Sequence, residues 1–321
     1  MNTSRRPYRT DLSDARWALV EPLLTEWRHQ HRGLGIANIQ HDLREIVNAI
    51  LYLNRTGMAW EYLPHDFPPY QTVYGYYARW EKEGVTEAIH EALRGRVRQA
   101  AGRRDEPSAA IVDSQTVKTS GNVPESSQGI DANKRIKGRK RHIATDVLGL
   151  LLVVLITAAS VHDTVAGRQI VDELAARRPS VVKAWVDSGY QQSVINRGAT
   201  HNIDVEVVAK DPDQRGFKPQ PKRWAIERTF GWLMLHRRLA RDYETKPERS
   251  RTMIHWAMID NMSRRSAGRC APRPPSTTPA TSTSTAGCVT CPPCGRSADK
   301  PTDASSTSNA SPATPPSAPR P

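Results

Sequence analysis

Two aspartates stand where apolar runs end, and their side chains have the chemistry of metal ligands. Asp113 follows the apolar letters of "AAIVDSQTVK", and Asp187 follows those of "KAWVDSGY", just before a turn. Ligands collect at the carboxyl ends of strands in open α/β sheets, so two such carboxylates are expected to share a site. A carboxylate there is costly to desolvate unless a cation compensates it. Taken singly, either residue is better explained as a turn-forming or helix-capping aspartate.

Glu227 is the third candidate ligand, and it lies in the predicted helix "RWAIERTFGWL". A helical wheel puts it on one stripe with Arg223 and Arg238 and directs Trp224 and Leu235 towards a core. The simple alternative is an Arg223–Glu227 ion pair, worth roughly a few tenths of a kcal/mol. The functional hypothesis is a metal-binding carboxylate on a basic surface, which suits a phosphodiester substrate.

A run of cations lies in the connection between the strand that carries Asp113 and the next strand. It occupies "ANKRIKGRKRH" and is interrupted by Gly138. Its members are Lys134, Arg135, Lys137, Arg139, Lys140 and Arg141. The simple alternative is a solvated loop, but its position favours phosphate binding.

The composition points to a polyanionic partner. The 321 residues include 46 Lys and Arg against 33 Asp and Glu, a formal net charge of +13. Such an excess favours nucleic acid ahead of a membrane surface. The longest apolar run, Val147 to Ala159, is shorter than the roughly 20 residues of a spanning helix. We therefore predict a soluble, cytoplasmic, nucleoid-associated protein.

The chain divides into three predicted regions. Residues 1–105 have helical periodicity and form a small all-α domain that is a candidate for DNA-end binding. Its aromatic residues at helical spacing, Tyr74, Tyr77 and Trp80, are equally compatible with a packed core. Residues 106–265 alternate between strands and helices, which predicts a mixed sheet with helices on both faces.

Several elements are predicted within residues 106–265. The predicted strands are 109–113, two strands within 142–160, 181–187 and 205–210, and the predicted helices are 164–177, 223–240 and 252–265.

The third region, residues 266–321, is rich in Pro, Ser, Thr and Ala. It has too little apolar surface to offset the entropy of ordering, so we predict a disordered tail. All four cysteines, Cys270, Cys288, Cys291 and Cys294, lie in it. Their spacing allows a metal or redox site, but incidental cysteines in a disordered tail are the favoured interpretation.

Several motifs, in order, resemble one family. They are "IVDSQTVKT", "KGRKRHIATDVLGLLL", "AASVHD", "VDSGY" and "RWAIERTFGWL", preceded by "DLSDARWALVEPLL" and "REIVNAILYLNRTGMAW". Together, over roughly residues 8 to 265, they resemble the DDE-type transposases of bacterial insertion sequences, of the insertion-sequence-five type. The family often has "ADGGY" where this chain has "VDSGY", with the aspartate intact.

The resemblance implies a ribonuclease-H-like catalytic domain with a five-stranded mixed sheet. It implies that Asp113, Asp187 and Glu227 form a DDE triad that binds two Mg²⁺ or Mn²⁺ ions. The candidate DNA-binding residues are Lys118, Lys134, Arg135, Lys137, Arg139, Lys140, Arg141, Arg223, Arg228 and Arg238.

The activity that the resemblance implies is binding of terminal inverted repeats, metal-dependent cleavage of double-stranded DNA and strand transfer, by a homodimer on DNA. Two alternatives remain open. One is a catalytically inactive DNA-binding remnant or repressor, and the other is a ribonuclease-H-like nuclease without strand transfer.

Overall fold

Amphipathic helices come first along the chain, and a sheet interleaved with helices follows. The computed structural model describes residues 5–31, 41–208 and 223–268. The helices are α1 Asp14–Trp17, α2 Glu21–Gln30, α3 Leu43–Thr56, α4 Tyr70–Lys82, α5 Val85–Ala100, α6 Asp163–Arg177, α7 Gln192–Thr200, α8 Trp224–Met234 and α9 Pro247–Ala267. The strands are β1 Ala109–Lys118, β2 Gly129–Asp131, β3 Ile136–Thr145, β4 Leu151–Ala158, β5 Lys183–Val186 and β6 Asp204–Val207. Short 3₁₀ helices lie at Trp60–Tyr62, Glu125–Ser127 and Arg237–Leu239.

Local signals set the ends of the first helices. The Ser13 hydroxyl accepts a hydrogen bond from the Arg16 N–H and caps α1, as predicted. The helix predicted to continue from there is interrupted, because α1 ends after one turn and α2 begins anew with Pro22 in its first turn. Helix α3 ends at Gly57, whose φ of +80° is the left-handed conformation that glycine adopts without strain.

The described strands form one mixed sheet. Its main strands follow the spatial order β4-β3-β1-β5-β6, with β3 antiparallel to β1 and β4, and with β5 and β6 parallel to β1. The short strand β2, which the sequence did not predict, extends the same side of β3 as β4. This is the ribonuclease-H-like α/β arrangement, so the predicted fold class is confirmed, but the described sheet has six strands instead of the predicted five because β2 adds one.

Three predicted boundaries are wrong in ways that affect the site. Strand β1 runs to Lys118 rather than ending at Asp113, because it stays paired with β3 over its whole second half. Strand β3 begins at Ile136, inside the run predicted to be a loop. Helix α8 ends at Met234 instead of reaching residue 240, and a separate 3₁₀ turn carries the "RRL" that follows.

Helices cover both faces of the sheet, as predicted. On one face, Ile170 and Leu174 of α6 and Val194 of α7 pack in a cluster with apolar strand residues. On the other face, a larger cluster joins the sheet to α8, α9 and the N-terminal helices. The aromatic residues Tyr77 and Trp80 are buried in it, so the core interpretation of these two side chains is confirmed.

Helix α9 is shared between the sheet and the N-terminal helices. Its Trp256 ring lies 6.0 Å from the Trp80 ring of α4, centroid to centroid. Its Asp260 carboxylate receives a hydrogen bond of 2.6 Å from the Arg16 guanidinium, and both groups are buried. Packing is therefore continuous across residue 105, and the division into domains at that residue stays a prediction.

Two further predictions lie outside the residues described. The predicted disordered tail starts at residue 266, but residues 266 and 267 belong to α9 and Gly268 is its C-cap. The rest of the predicted tail, with all four cysteines, occupies residues 269–321 and lies outside the described residues. Within the described ranges, no helix is both long enough and apolar enough to cross a membrane.

Candidate active site

The strand register places the two aspartates side by side. Strands β1 and β5 are parallel, and the last pair in their ladder is Ile111 with Trp185. Asp113 follows Ile111 by two residues, and Asp187 follows Trp185 by two residues. Because side chains alternate between faces, two steps return both to the face of the preceding pair. Asp113 therefore lies in the middle of β1, but at the point where its parallel neighbour ends.

One guanidinium bridges the two carboxylates. The Arg223 Nη2 atom lies 3.0 Å from Asp113 Oδ2 and 4.0 Å from Asp187 Oδ2. The other oxygen of each carboxylate is held by the backbone, since Asp113 Oδ1 accepts from the Ser114 N–H at 2.7 Å and Asp187 Oδ1 from the Gly189 N–H at 2.9 Å. Both Oδ2 atoms are thus turned to one shared cationic centre.

Burial and neighbouring charges together shift the pKa values of the groups at this centre. Burial raises the pKa of the Asp113 carboxyl, the nearby Asp187 charge adds to this, and Arg223 and the Ser114 N–H oppose it. The Tyr190 phenol is buried beside them, and its pKa is raised well above the usual value by burial and by the charges of Asp113, Asp163 and Asp187. An additional cation would be stabilised here.

Glu227 does not join the two aspartates in a ready-made metal site. It is half-buried on α8, one helical turn after Arg223, so the two side chains leave the helix on the same side. Among the described residues, no group of three or more His, Cys, Asp or Glu side chains is close enough together to hold a metal ion. The assignment of Glu227 as third ligand stays a prediction.

The donor set that is assembled suits a hard divalent cation. Asp113 and Asp187 offer carboxylate oxygens on two adjacent strands, and Mg²⁺ prefers oxygen ligands and is commonly held by one or two carboxylates. The Arg223 guanidinium lies between the two carboxylates, hydrogen-bonded to Asp113 and at 4.0 Å from Asp187, so positive charge is already accommodated there.

Half of the predicted phosphate-binding run is buried. Strand β3 lies between β1 and β4, so its second half belongs to the sheet interior. Arg139 has no exposed surface and donates to the carbonyls of Glu244 and Thr245 at 2.7 and 3.0 Å. Arg141 is equally buried, donates to the Leu239 carbonyl at 2.6 Å, and has a pKa lowered to about 10 by burial.

Lys140 and Arg238 are also buried and paired. The Lys140 ammonium lies 3.2 Å from Asp163 Oδ1 and donates to the Val161 carbonyl at 3.0 Å. The Arg238 guanidinium lies 2.8 Å from Glu244 Oε1. These four cations, Arg139, Lys140, Arg141 and Arg238, are therefore buried and each donates to at least one protein acceptor, which does not favour contact with DNA, and their assignment as DNA contacts stays a prediction.

Four other residues predicted to contact DNA are accessible to solvent. Lys118, Lys134, Arg135 and Lys137 are exposed, and the Lys118 end of β1 is paired with the Gly138 end of β3. A Cβ atom at Gly138 would collide with the Val117 carbonyl oxygen, so glycine permits this close approach of the strands. These four cations form what we call the exposed basic surface.

The last two predicted contacts, Arg223 and Arg228, lie on or next to α8. Arg228 is half-buried, donates to the Leu148 carbonyl at 2.9 Å and stacks over the Trp232 ring at 4.9 Å. The predicted core stripe of this helix is wrong at two positions: Trp224 is 42% exposed and Leu235 is 60% exposed. The buried side chains of α8 include Ile226 and Leu233 instead.

A polar network behind β1 was not predicted. The Ser114 hydroxyl donates to Asp163 Oδ1 at 3.0 Å, and the same oxygen faces Lys140. His142 Nε2 lies 3.0 Å from the Thr157 hydroxyl, and burial lowers the pKa of His142 to about 4. The available signal was the polar alternation of "DSQTVK" in β1, which places Ser114 and Thr116 on the face opposite Asp113.

Comparisons with known proteins agree with these features. Residues 12–90 match the family described as "Putative transposase of IS4/5 family (DUF4096)", and residues 104–262 match the family described as "Transposase DDE domain". The chain is 33% identical over 132 residues to the "Putative transposase for insertion sequence element IS402" of Burkholderia cepacia. That alignment covers 38% of this chain and 59% of the relative's length. No solved structure gives a significant match.

Proposed function

The chain belongs to the DDE transposases of insertion sequences, and we propose that it cuts the ends of such an element and joins them to target DNA. The observation that carries this proposal is the convergence of Asp113 and Asp187 on one cation-holding centre at the edge of a parallel strand pair. Both carboxylates are oriented by backbone N–H groups before any ligand arrives.

Asp113 and Asp187 would hold the divalent ions, with Glu227 as the third ligand. When bound, Mg²⁺ or Mn²⁺ supplies activation of the attacking oxygen and stabilisation of the leaving oxygen. The Ser114 and Gly189 N–H groups keep the two carboxylates from rotating. The Arg223 guanidinium beside the two aspartates would bind a phosphate oxygen of the DNA strand.

The proposed reaction is in-line displacement at phosphorus in two stages. Water attacks first and exposes a 3′-hydroxyl at the end of the element, and that hydroxyl then attacks target DNA. Neither stage requires a covalent bond to the protein, so no Ser or Tyr nucleophile is assigned.

The exposed basic surface would follow the DNA backbone. Its members, Lys118, Lys134, Arg135 and Lys137, can each neutralise a phosphate and release counterions. We assign recognition of the terminal inverted repeats to the N-terminal helices and propose that a homodimer holds the two ends. Such a protein acts at the nucleoid, where its substrate lies.

Substitution of single carboxylates tests the reaction. We expect Asp113→Asn and Asp187→Asn to reduce Mg²⁺-dependent cleavage of end-bearing DNA roughly a thousandfold or more, since each removes a ligand charge at the reacting centre. Glu248→Gln, at an exposed position of α9, is the matched control and should cleave normally. Cleavage at the normal rate in either aspartate variant would refute the site.

The same assay separates the rival functions. Glu227→Gln tests the third ligand independently, because the structure does not gather that side chain with the aspartates. Metal-independent end binding without any cleavage by the unmodified protein would identify a non-catalytic DNA-binding protein. Cleavage without joined products would identify a nuclease that lacks strand transfer.

A further inference from the structure

We propose that Arg223 is an internal counter-cation that competes with divalent metal for Asp113 and Asp187. In this structure it supplies positive charge between the two carboxylates, and it is released from them when a divalent ion binds. This inference rests on the proposed function, because it assumes that the aspartate pair is the metal site.

The contact geometry is that of a displaceable partner. A single guanidinium nitrogen, Nη2, faces Oδ2 of both carboxylates, at 3.0 and 4.0 Å. The strong form of an arginine–carboxylate contact is bidentate, with two parallel N–H···O bonds. Here one hydrogen bond joins Arg223 to Asp113, and the longer approach to Asp187 is electrostatic only.

The carboxylates stay in position without Arg223. Their Oδ1 atoms are fixed by the Ser114 and Gly189 N–H groups, which belong to β1 and to the turn after β5 rather than to α8. The guanidinium is therefore not needed to aim the two Oδ2 atoms. What it contributes is positive charge between them.

The charges leave this centre incompletely compensated. Among the residues that the structure describes, two carboxylates face one guanidinium, so one formal negative charge remains, and a divalent ion neutralises the pair fully. The Coulomb interaction of a unit charge with such an ion at about 4 Å is substantial even at an effective permittivity of about 20. Arg223 must therefore weaken metal binding as long as it remains between the carboxylates.

The position of Arg223 gives the released side chain a use. It is the N-cap residue of α8, and its side chain lies at the helix end rather than within the helix. A guanidinium that leaves the carboxylates can pair with a DNA phosphate. DNA that holds it there would strengthen metal binding, and by linkage metal would strengthen DNA binding by the same factor.

Titration of the full chain with Mn²⁺ alone, without DNA, tests the competition. Free Mn²⁺ is counted by electron paramagnetic resonance. We expect Arg223→Ala to bind Mn²⁺ at least about tenfold more tightly than the unmodified protein, because a unit positive charge is removed from the site. Arg223→Lys keeps the charge and should stay within about threefold of the unmodified protein.

Arg228→Ala is the matched control. It removes the same charge from the same helix, but Arg228 contacts the Leu148 carbonyl and not the aspartates. We expect its Mn²⁺ affinity to change by less than about twofold, because screening weakens charges at a distance. An increase as large as that of Arg223→Ala would overturn the specific role of Arg223.

A melting experiment gives a second readout. The apo form of Arg223→Ala should melt below the unmodified protein, because two unpaired carboxylates repel, and Mn²⁺ should raise its melting temperature by more than it raises that of the unmodified protein. Should Arg223→Ala not fold, Arg223→Gln retains much of the side-chain volume and gives the same expected direction.

Failure of this inference is distinguishable from failure of the proposed function. Unchanged or weaker Mn²⁺ binding in both Arg223→Ala and Arg223→Gln, with binding abolished in Asp113→Asn, overturns the competition and leaves the metal site standing. Binding that persists unchanged in Asp113→Asn/Arg223→Ala, or no binding in any variant, overturns the metal site and the competition together.

Discussion

The cationic run from Lys134 to Arg141 divides at Gly138 into two halves with opposite environments. Before the glycine, Lys134, Arg135 and Lys137 are exposed, and the Lys137 ammonium pairs with the exposed Glu125 carboxylate at 2.8 Å. After it, Arg139, Lys140 and Arg141 are buried in the sheet, and each donates to at least one backbone carbonyl. Adjacent residues of identical charge therefore serve different purposes, and the difference comes from the strand pairing rather than from the residue types.

The buried half attaches the C-terminal segment to the sheet. Arg139 uses all three guanidinium nitrogens, reaching Ser127 and the segment that contains Asp242 and Glu244. Lys140 binds Asp163 at the start of α6 on the opposite face of β3. Because side chains alternate between the two faces of a strand, Arg139 and Lys140 reach opposite faces of the sheet. Each is hydrogen-bonded there to acceptors that a solvated loop would lack.

The largest expected effect in the buried half is that of Arg139→Met. It leaves the buried Asp242 carboxylate without its cationic partner, and loss of one member of a buried pair costs about 3–5 kcal/mol. We expect the free energy of unfolding, measured by urea denaturation, to fall by that amount. Arg139→Met/Asp242→Asn should recover part of the loss, and a double variant no more stable than the single one would contradict the pairing.

A smaller effect is expected at His142, the buried residue that directly follows the buried half. Its pKa falls from 6.5 in the unfolded chain to about 4 in the native protein, so the unfolded chain binds more protons between these values. The free energy of unfolding should therefore decrease as pH falls from 6.5 to 4, by roughly 3 kcal/mol from this residue, and level off below.

His142→Gln should make that pH dependence shallower by the contribution of one proton. His236, whose pKa is also lowered to about 4 by burial, should account for a second proton when substituted in the same way. A pH profile of unfolding that is identical in His142→Gln and in the unmodified protein would show that this histidine is accessible to protons in the native state.

The smallest effect on stability is expected in the exposed half. Lys134→Ala/Arg135→Ala/Lys137→Ala should change the free energy of unfolding by less than about 0.5 kcal/mol per site, since these are surface positions. The same variant should bind DNA more weakly, and the slope of log affinity against log salt should decrease by up to about 0.9 for each phosphate that the protein no longer neutralises. An unchanged salt slope would remove this half from the proposed DNA surface.

Much of the fold follows from the sequence because apolar periodicity is a local property. The cap at Ser13, the helix stop at Gly57 and the helix α6 arise from residues within a few positions of one another, and all were predicted. The sequence also singled out Asp113 and Asp187, because each follows an apolar run, and the register brings both to one centre.

What the sequence did not reveal depends on partners distant along the chain. Arg139 is buried because residues more than one hundred positions away supply its acceptors, and no local pattern encodes that contact. Arg223 lies 110 positions from Asp113, so the bridging ion pair was invisible although both residues had been singled out. The i,i+4 pairing with Glu227, which local reasoning offered, is not the contact that Arg223 makes with a carboxylate in the structure.

The packing of α9 between the sheet and the N-terminal helices has a mechanical consequence. Rings and buried ion pairs join the two parts, as between Trp80 and Trp256 and between Arg16 and Asp260. If the N-terminal helices bind the repeat, their packing on α9 fixes the distance to the aspartates. The number of base pairs between the bound bases and the cleaved bond is then constant. An element whose repeat is displaced along the duplex would then offer the wrong bond to Asp113 and Asp187.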